Sequence, residues 1–266
     1  MLRFANESDG WAGVDQLYST HDGGATWTRE QLGGATSVVT DIETGGGYVF
    51  ANTTTCPSSG DCTRASRVYA SPIGRDKWQA VSTPLSGDAT PGGLTVHGSD
   101  WYLPLDTGIY HGHGTSAPIR AANPCPADGS YRASPTIAVA DSAHLDALCQ
   151  SQGAAGSASY QLYGTTDGGR RWVKAGPSRI QASGLFGITD NGRGVLLEAV
   201  ASGGSAILRT TDDGATIRNS SISAPSGGLP WADLGFTTAT QAVVVLAGTA
   251  IYLSHDSGAS FDRITF

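Results

Sequence analysis

Thr20-His21-Asp22-Gly23-Gly24-Ala25-Thr26-Trp27 returns as Thr165-Thr166-Asp167-Gly168-Gly169-Arg170-Arg171-Trp172, as Thr210-Thr211-Asp212-Asp213-Gly214-Ala215-Thr216-Ile217, and as Ser254-His255-Asp256-Ser257-Gly258-Ala259-Ser260-Phe261. A short apolar run precedes each copy: Leu17-Tyr18-Ser19, Leu162-Tyr163-Gly164, Ile207-Leu208-Arg209 and Ile251-Tyr252-Leu253. From Tyr18, Tyr163, Leu208 and Tyr252 to the closing residue the distance is nine positions in every copy. A phrase held at fixed internal spacing is the mark of a repeat architecture.

The same frame finds two eroded copies, Tyr69 to Trp78 and Tyr110 to Ile119. Closing residues then fall at 27, 78, 119, 172, 217 and 261, with gaps of 51, 41, 53, 45 and 44 residues. Such a gap fits one four-stranded propeller blade, roughly 40–50 residues. A turn-and-strand marker runs in step, at Asp9 to Ala12, Gly46 to Phe50, Ser99 to Leu103, Ala143 to Leu148, Gly192 to Leu197 and Gln241 to Leu246. The expectation is an all-β chain, residues 1–266, forming one six-bladed propeller of four-stranded antiparallel blades, with seven blades the alternative. One blade cannot bury both faces, so neighbours stack in a ring, and closure leaves only short strand edges. Each repeated phrase is the turn between the two outer strands. Its Asp accepts backbone N–H bonds, its glycines permit positive φ, and its closing side chain is expected to plug the gap toward the core.

These residues resemble the Asp-box, or bacterial-neuraminidase, repeat, Ser/Thr-x-Asp-x-Gly-x-Thr-Trp. The Gly-Trp strand is similar to the pattern in photosystem-assembly propellers and related secreted bacterial proteins. Sialidases, xyloglucanases and sortilin-type receptors also carry such boxes. The resemblance implies that Asp22, Gly24, Trp27, Asp167, Gly169, Trp172, Asp212, Gly214, Asp256, Gly258 and Phe261 hold turns on the face away from any active site. It does not extend to the sialidase catalytic set. The start, Met1-Leu2-Arg3-Phe4, has no Arg-Ile-Pro element, and no residue inherits a catalytic role.

Composition narrows the function. The chain has 37 glycines and 12 prolines, which suits a turn-rich β protein. With 16 Lys and Arg against 23 Asp and Glu, the net charge is −7, which argues against a nucleic-acid partner, since that needs a basic stripe. The longest apolar stretch, Val243 to Leu253, is too short to span a bilayer. Met1 opens no signal peptide, so an exported chain would have lost its leader. Cys56 and Cys62 bracket a polar loop, while Cys125 and Cys149 lie around the fourth repeat. An even count reads as two disulfides in an exported protein. Of three pairings, Cys56–Cys62 with Cys125–Cys149 is geometrically cheapest. The cysteines lack paired Cys-x-x-Cys spacing, so no metal is expected, and no cofactor.

On this frame the longest loops fall on the upper face, opposite the boxes: Asn52 to Arg67, Gln150 to Ser159, Gln79 to Gly93 and Arg120 to Pro135. Long loops on one face of a repeat fold carry binding. The ligand-binding candidates there are Arg64, Arg67, Tyr131, Arg132, Glu198, Trp231 and Asp233, with Arg120, Arg179, Glu43 and Asp106 beside them. Arginines suit carboxylates, and Tyr131 or Trp231 could stack on a sugar or peptide. No carboxylate pair shows the spacing that glycoside hydrolysis needs. His111 and His113 share a strand face, and His21 and His255 sit at matching box positions. The expected function is an exported, non-catalytic, monomeric propeller binding a glycan, peptide or protein. The alternative is a sialidase-like glycoside hydrolase with a diverged site.

Overall fold

The computed structural model describes residues 1–56, 62, 65–87, 93–126, 134–151, 159–181, 186–188, 194–201, 204–212, 214–222, 231–236, 238–246 and 250–264. They are all-β and fall into two compact units, residues 1–123 and 124–266. In the N-terminal unit the first sheet runs β1 (Leu2–Phe4), β2 (Gly10–Val14), β3 (Gln16–Thr20), β4 (Thr28–Glu30). The second takes β5 (Ser37–Gly45), β6 (Tyr48–Thr55), β7 (Ala65–Pro72) and β8 (Gln79–Ala80), and β9 (Leu85–Ser86) also pairs with β7. The third runs β10 (Thr95–His97), β11 (Asp100–Leu105), β12 (Gly108–His113), β13 (Ile119–Ala121).

In the C-terminal unit the fourth sheet runs β14 (Thr136–Val139), β15 (Leu145–Gln150), β16 (Ser159–Thr165), β17 (Val173–Gln181). The fifth runs β18 (Phe186–Ile188), β19 (Val195–Ala201), β20 (Gly204–Thr210), β21 (Arg218–Asn219). The last has the order β22 (Ser221–Ile222), β26 (Ser260–Ile264), β25 (Ala250–Ser254), β24 (Ala242–Leu246), β23 (Trp231–Phe236).

The expected six, or seven, four-stranded antiparallel blades are corrected by this topology to five antiparallel blades. Five sheets are wholly antiparallel blades of four or five strands, and the C-terminal sheet is mixed, because β22 lies parallel to β26 through Ser221↔Ser260 and Ile222↔Phe261. The second sheet is also over-length, since β9 extends it. The physical reason is the same in both places. A two-residue strand joins by backbone bonds and is too short to show a side-chain period, even where one residue, Leu85 of β9, is buried.

Alternation explains the stacking. In β24, Ala242, Val244 and Leu246 are buried while Val243 and Val245 are only partly covered. Inward residues of consecutive sheets meet as shared cores. Trp11 and Leu17 of the first sheet pack with Ile42, Val49 and Ala51 of the second. On the other side of β6, Phe50 joins Trp101, Leu103 and Leu105 of the third. The middle sheet is thus covered on both faces, which is why β6 reads as a nearly continuous buried run. In the C-terminal unit Leu148, Tyr160 and Leu162 meet Val195, and Ile207 meets Leu234, Val244 and Tyr252. Cys56–Cys62 closes the β6–β7 connection, and Cys125–Cys149 ties the segment before β14 to β15, the pairing expected from the sequence. The β6–β7 connection is shorter than the expected Asn52 to Arg67, because both strands extend into it.

Candidate functional site

The repeated phrases share one hydrogen-bond pattern. In the first, the buried Thr20 hydroxyl donates to Asp22 Oδ1 at 2.8 Å and accepts the Gly24 N–H at 2.9 Å. Asp22 in turn accepts the Thr26 N–H at 2.8 Å and its hydroxyl at 2.6 Å. Thr165 with Asp167, Thr210 with Asp212, and Ser254 with Asp256 reproduce the hydroxyl-to-carboxylate bond at 2.7–2.8 Å. These donors hold the Asp22, Asp212 and Asp256 carboxyls down at a pKa of about 2. The closing residues do not all plug the core as expected. Phe261 is buried, but Trp27 is 39% exposed. Its indole N–H turns back to Gly24 O at 3.1 Å, and its ring meets Phe4 edge-on at 6.3 Å.

Beside the second and third of these turns lies an open groove of about 820 Å³ within the C-terminal unit. One wall is the start of β17, Val173 to Gly176, with Arg171 just before it. The others are His144 to Asp146, the Thr165 to Asp167 turn, and Asp212 with Ala215. The volume lies within the range of ligand pockets, ~300–1,000 Å³. β17 is the outermost strand of its sheet, and no described strand pairs with its outer side. Val173 is 58% exposed on it, and Arg171 and Lys174 are exposed. Further along, β16 and β17 part between Leu162↔Ala175 and Tyr160↔Ile180. The fully buried Gln161 amide bridges the break, donating to Leu162 O and Ala175 O, both at 3.0 Å. Gly176, at φ +68°, allows the strand to pass close to the third turn. A Cβ there would stand 3.0 Å from Gly214 O.

Three other polar clusters lie in the N-terminal unit. Arg3 grips Glu43 with two bonds, of 2.6 and 3.0 Å. Asp41, two residues away on β5, is buried and accepts the Ile42 and Leu94 N–H groups at 2.9 and 2.8 Å, while burial pushes its carboxyl up to about 6. Both carboxylates are committed to structural partners. The second cluster places His21 between Asp9 and Asp76, with a ring nitrogen 2.6 Å from each. The Ser19 hydroxyl lies between Asp76 and Glu30, at 2.9 and 3.0 Å, and bonds to these rather than to His21, so the serine and histidine form no nucleophile–base pair. In the third, His111 and His113 converge on Asp100 at 3.4 and 2.8 Å, sharing a face as expected. Among the described residues no group of His, Cys, Asp or Glu is placed to hold a metal ion, and no helix is long and apolar enough to cross a membrane.

Arg64, Tyr131 and Arg132 lie outside the described residues. So do the side chains of Glu198, Trp231 and Arg179, though Glu198 pairs with Ile207 in the ladder and Trp231 opens β23. Arg67 is half-buried on β7, and Asp233 is exposed on β23, its carboxylate accepting the Leu234 N–H at 2.9 Å. Arg120 donates to Thr107 O. Sequence reading missed Arg171, Val173 and Lys174. The one available signal was an exposed-looking Arg-Arg-Trp-Val-Lys run where the other boxes carry Thr or Ser.

No protein-family model matches the chain, and no curated protein matches its sequence. Its fold is similar to that of YCF48 from Cyanidioschyzon merolae, with a TM-score of 0.62 at 16% identity, covering 99% of this chain and 83% of that one. A structure of YCF48 bound to D1 peptide gives 0.60 at 15% identity over 99% and 79%. The GH74 enzyme of Niastella koreensis gives 0.59 at 13% identity, where the chain covers 96% of itself but only 45% of the enzyme. At these identities the likeness establishes the β-propeller fold alone.

Proposed function

We propose that this chain is an extracytoplasmic, partner-binding β-propeller that takes an extended acidic segment of another protein along the outer edge of β17. The observation that carries the reading is the groove itself, which combines an open strand edge, the exposed Val173 and two exposed cations. An added strand gains main-chain bonds at such an edge, and alternate side chains give specificity. Strand addition at an outer edge already occurs in this chain, where β22 lies against β26. Asp146, Asp167 and Asp212 also line the groove; Asp212 is turned into its own loop by the Thr216 N–H and hydroxyl, and one oxygen of Asp167 accepts the Arg171 N–H. Arg171 and Lys174 are the exposed cations of this wall. The peptide-bound YCF48 structure supports a peptide as ligand for this fold. Two disulfides support an oxidising compartment.

The test is fluorescence anisotropy with labelled decapeptides in which Val or Thr alternates with Asp, against the same peptides carrying Gln. The Asp series is expected to bind about tenfold tighter, a difference of ~1.4 kcal/mol. The R171E/K174E variant is expected to erase it, as is high salt. Equal affinity for both series, or binding that the double variant leaves intact, refutes the proposal.

A further inference from the structure

The box turn of the first sheet carries a device that the other turns lack. The residue after the hydroxyl anchor is His21 there, and Thr166, Thr211 and His255 in the others. His255 is exposed. His21 instead reaches Asp9, in the turn before β2, and Asp76, in the turn before β8 of the second sheet. Asp76 is fixed further by the Ser19 hydroxyl at 2.9 Å and the Trp11 indole N–H at 3.4 Å. Asp9 is fixed by the Asn6 amide at 2.7 Å. Asp76 is held at φ +43°, an uncommon conformation for a residue with a side chain. The ring sits edge-on to Trp11, yet its side chain is 42% exposed, so protons reach it.

We propose that His21 is a proton-operated latch that fastens two turns of the first sheet, at Asn6–Asp9 and at residues 21–26, to the 73–76 turn of the second. Each ring nitrogen faces a carboxylate oxygen, and only the imidazolium can donate from both. The ionisable groups acting on it are Asp9, Asp76 and Glu30, the last across the shared Ser19 hydroxyl at 3.0 Å. Once the ring is neutral, one nitrogen meets a carboxylate lone pair to lone pair, and three carboxylates crowd together. Asp76 and Asp9 raise the His21 pKa above its usual value, and His21 lowers that of Asp9. A raised folded-state pKa means that the latch's stabilisation is fully present below the ordinary histidine range. It is lost as pH rises through the raised value. The latch is therefore closed in acid and slack in mild alkali, the sense of a pH-gated joint.

Two readouts on the whole chain test this. The first is an NMR titration of the histidine ring protons, with His21 assigned by its loss in H21Q. His21 is expected to titrate above the ordinary histidine range. The second is amide exchange, corrected for intrinsic rate, at Gly23 and Ile73, whose N–H groups bond to Ser8 O and Gly47 O at 3.0 Å each. Protection is expected to fall about tenfold as His21 loses its proton, and to be low and insensitive to pH in H21Q. If H21Q does not fold, D76N serves for the exchange measurement and its ring shifts provide the assignment. A His21 that titrates within or below the ordinary histidine range, or protection that ignores its protonation, overturns the latch.

Discussion

A single hydroxyl organises each box turn. Thr20, Thr165, Thr210 and Ser254 are buried, and each donates to the Asp two residues on while accepting a glycine N–H four residues on. Replacing Thr20 by Val keeps the shape and leaves the Gly24 N–H without its acceptor. The expected cost is about 1–3 kcal/mol, read as a lower urea midpoint at unchanged slope. The Asp residues make a pH prediction. Their folded-state pKa is depressed, to about 2 for Asp22, Asp212 and Asp256, from the usual 3.8. Their stabilisation is therefore present above the usual value and lost as pH falls from about 4 toward 2. Denaturant midpoints should drop across that window in the native chain and drop less in a D22N/D212N/D256N variant. This chemistry was legible in the sequence, because Ser or Thr, Asp and Gly at fixed spacing have few other uses. The exposed pose of Trp27 was not, since it depends on the distant Phe4.

The strands divide into those whose side chains announce them and those that only their backbones place. β11, β15 and β24 carry inward apolar residues and were visible as strands. β9 and β22, of two residues each, are too short to carry a pattern, and they upset the expectation of six, or seven, four-stranded antiparallel blades. The break between β16 and β17 was equally silent, since only the partners of buried Gln161 disclose it. The disulfides were legible by count, and they differ in what they constrain. Cys125–Cys149 spans 24 positions and Cys56–Cys62 only 6. Replacing the first pair by serine should cost about 3 kcal/mol and the second about 2, by the loop-entropy relation. Thermal unfolding of the two double variants should rank them in that order, and the reverse order would show that native-state strain decides.

Over the whole molecule, repetition made the propeller fold readable while the site stayed hidden. The groove joins residues near 144, 165, 171–176 and 212–215, which no motif links. Its cations sit in a chain of net charge −7, so the overall charge gave no sign of them. Local exposure sets what a partner meets, and Arg171 and Lys174 stand exposed at the start of β17. The most direct measurement is residue-resolved hydrogen–deuterium exchange with and without the Asp-containing decapeptide. Slowed exchange concentrated at Val173 to Gly176, and absent in R171E/K174E, is the predicted result. Protection elsewhere, with β17 unchanged at saturating peptide, would contradict the account.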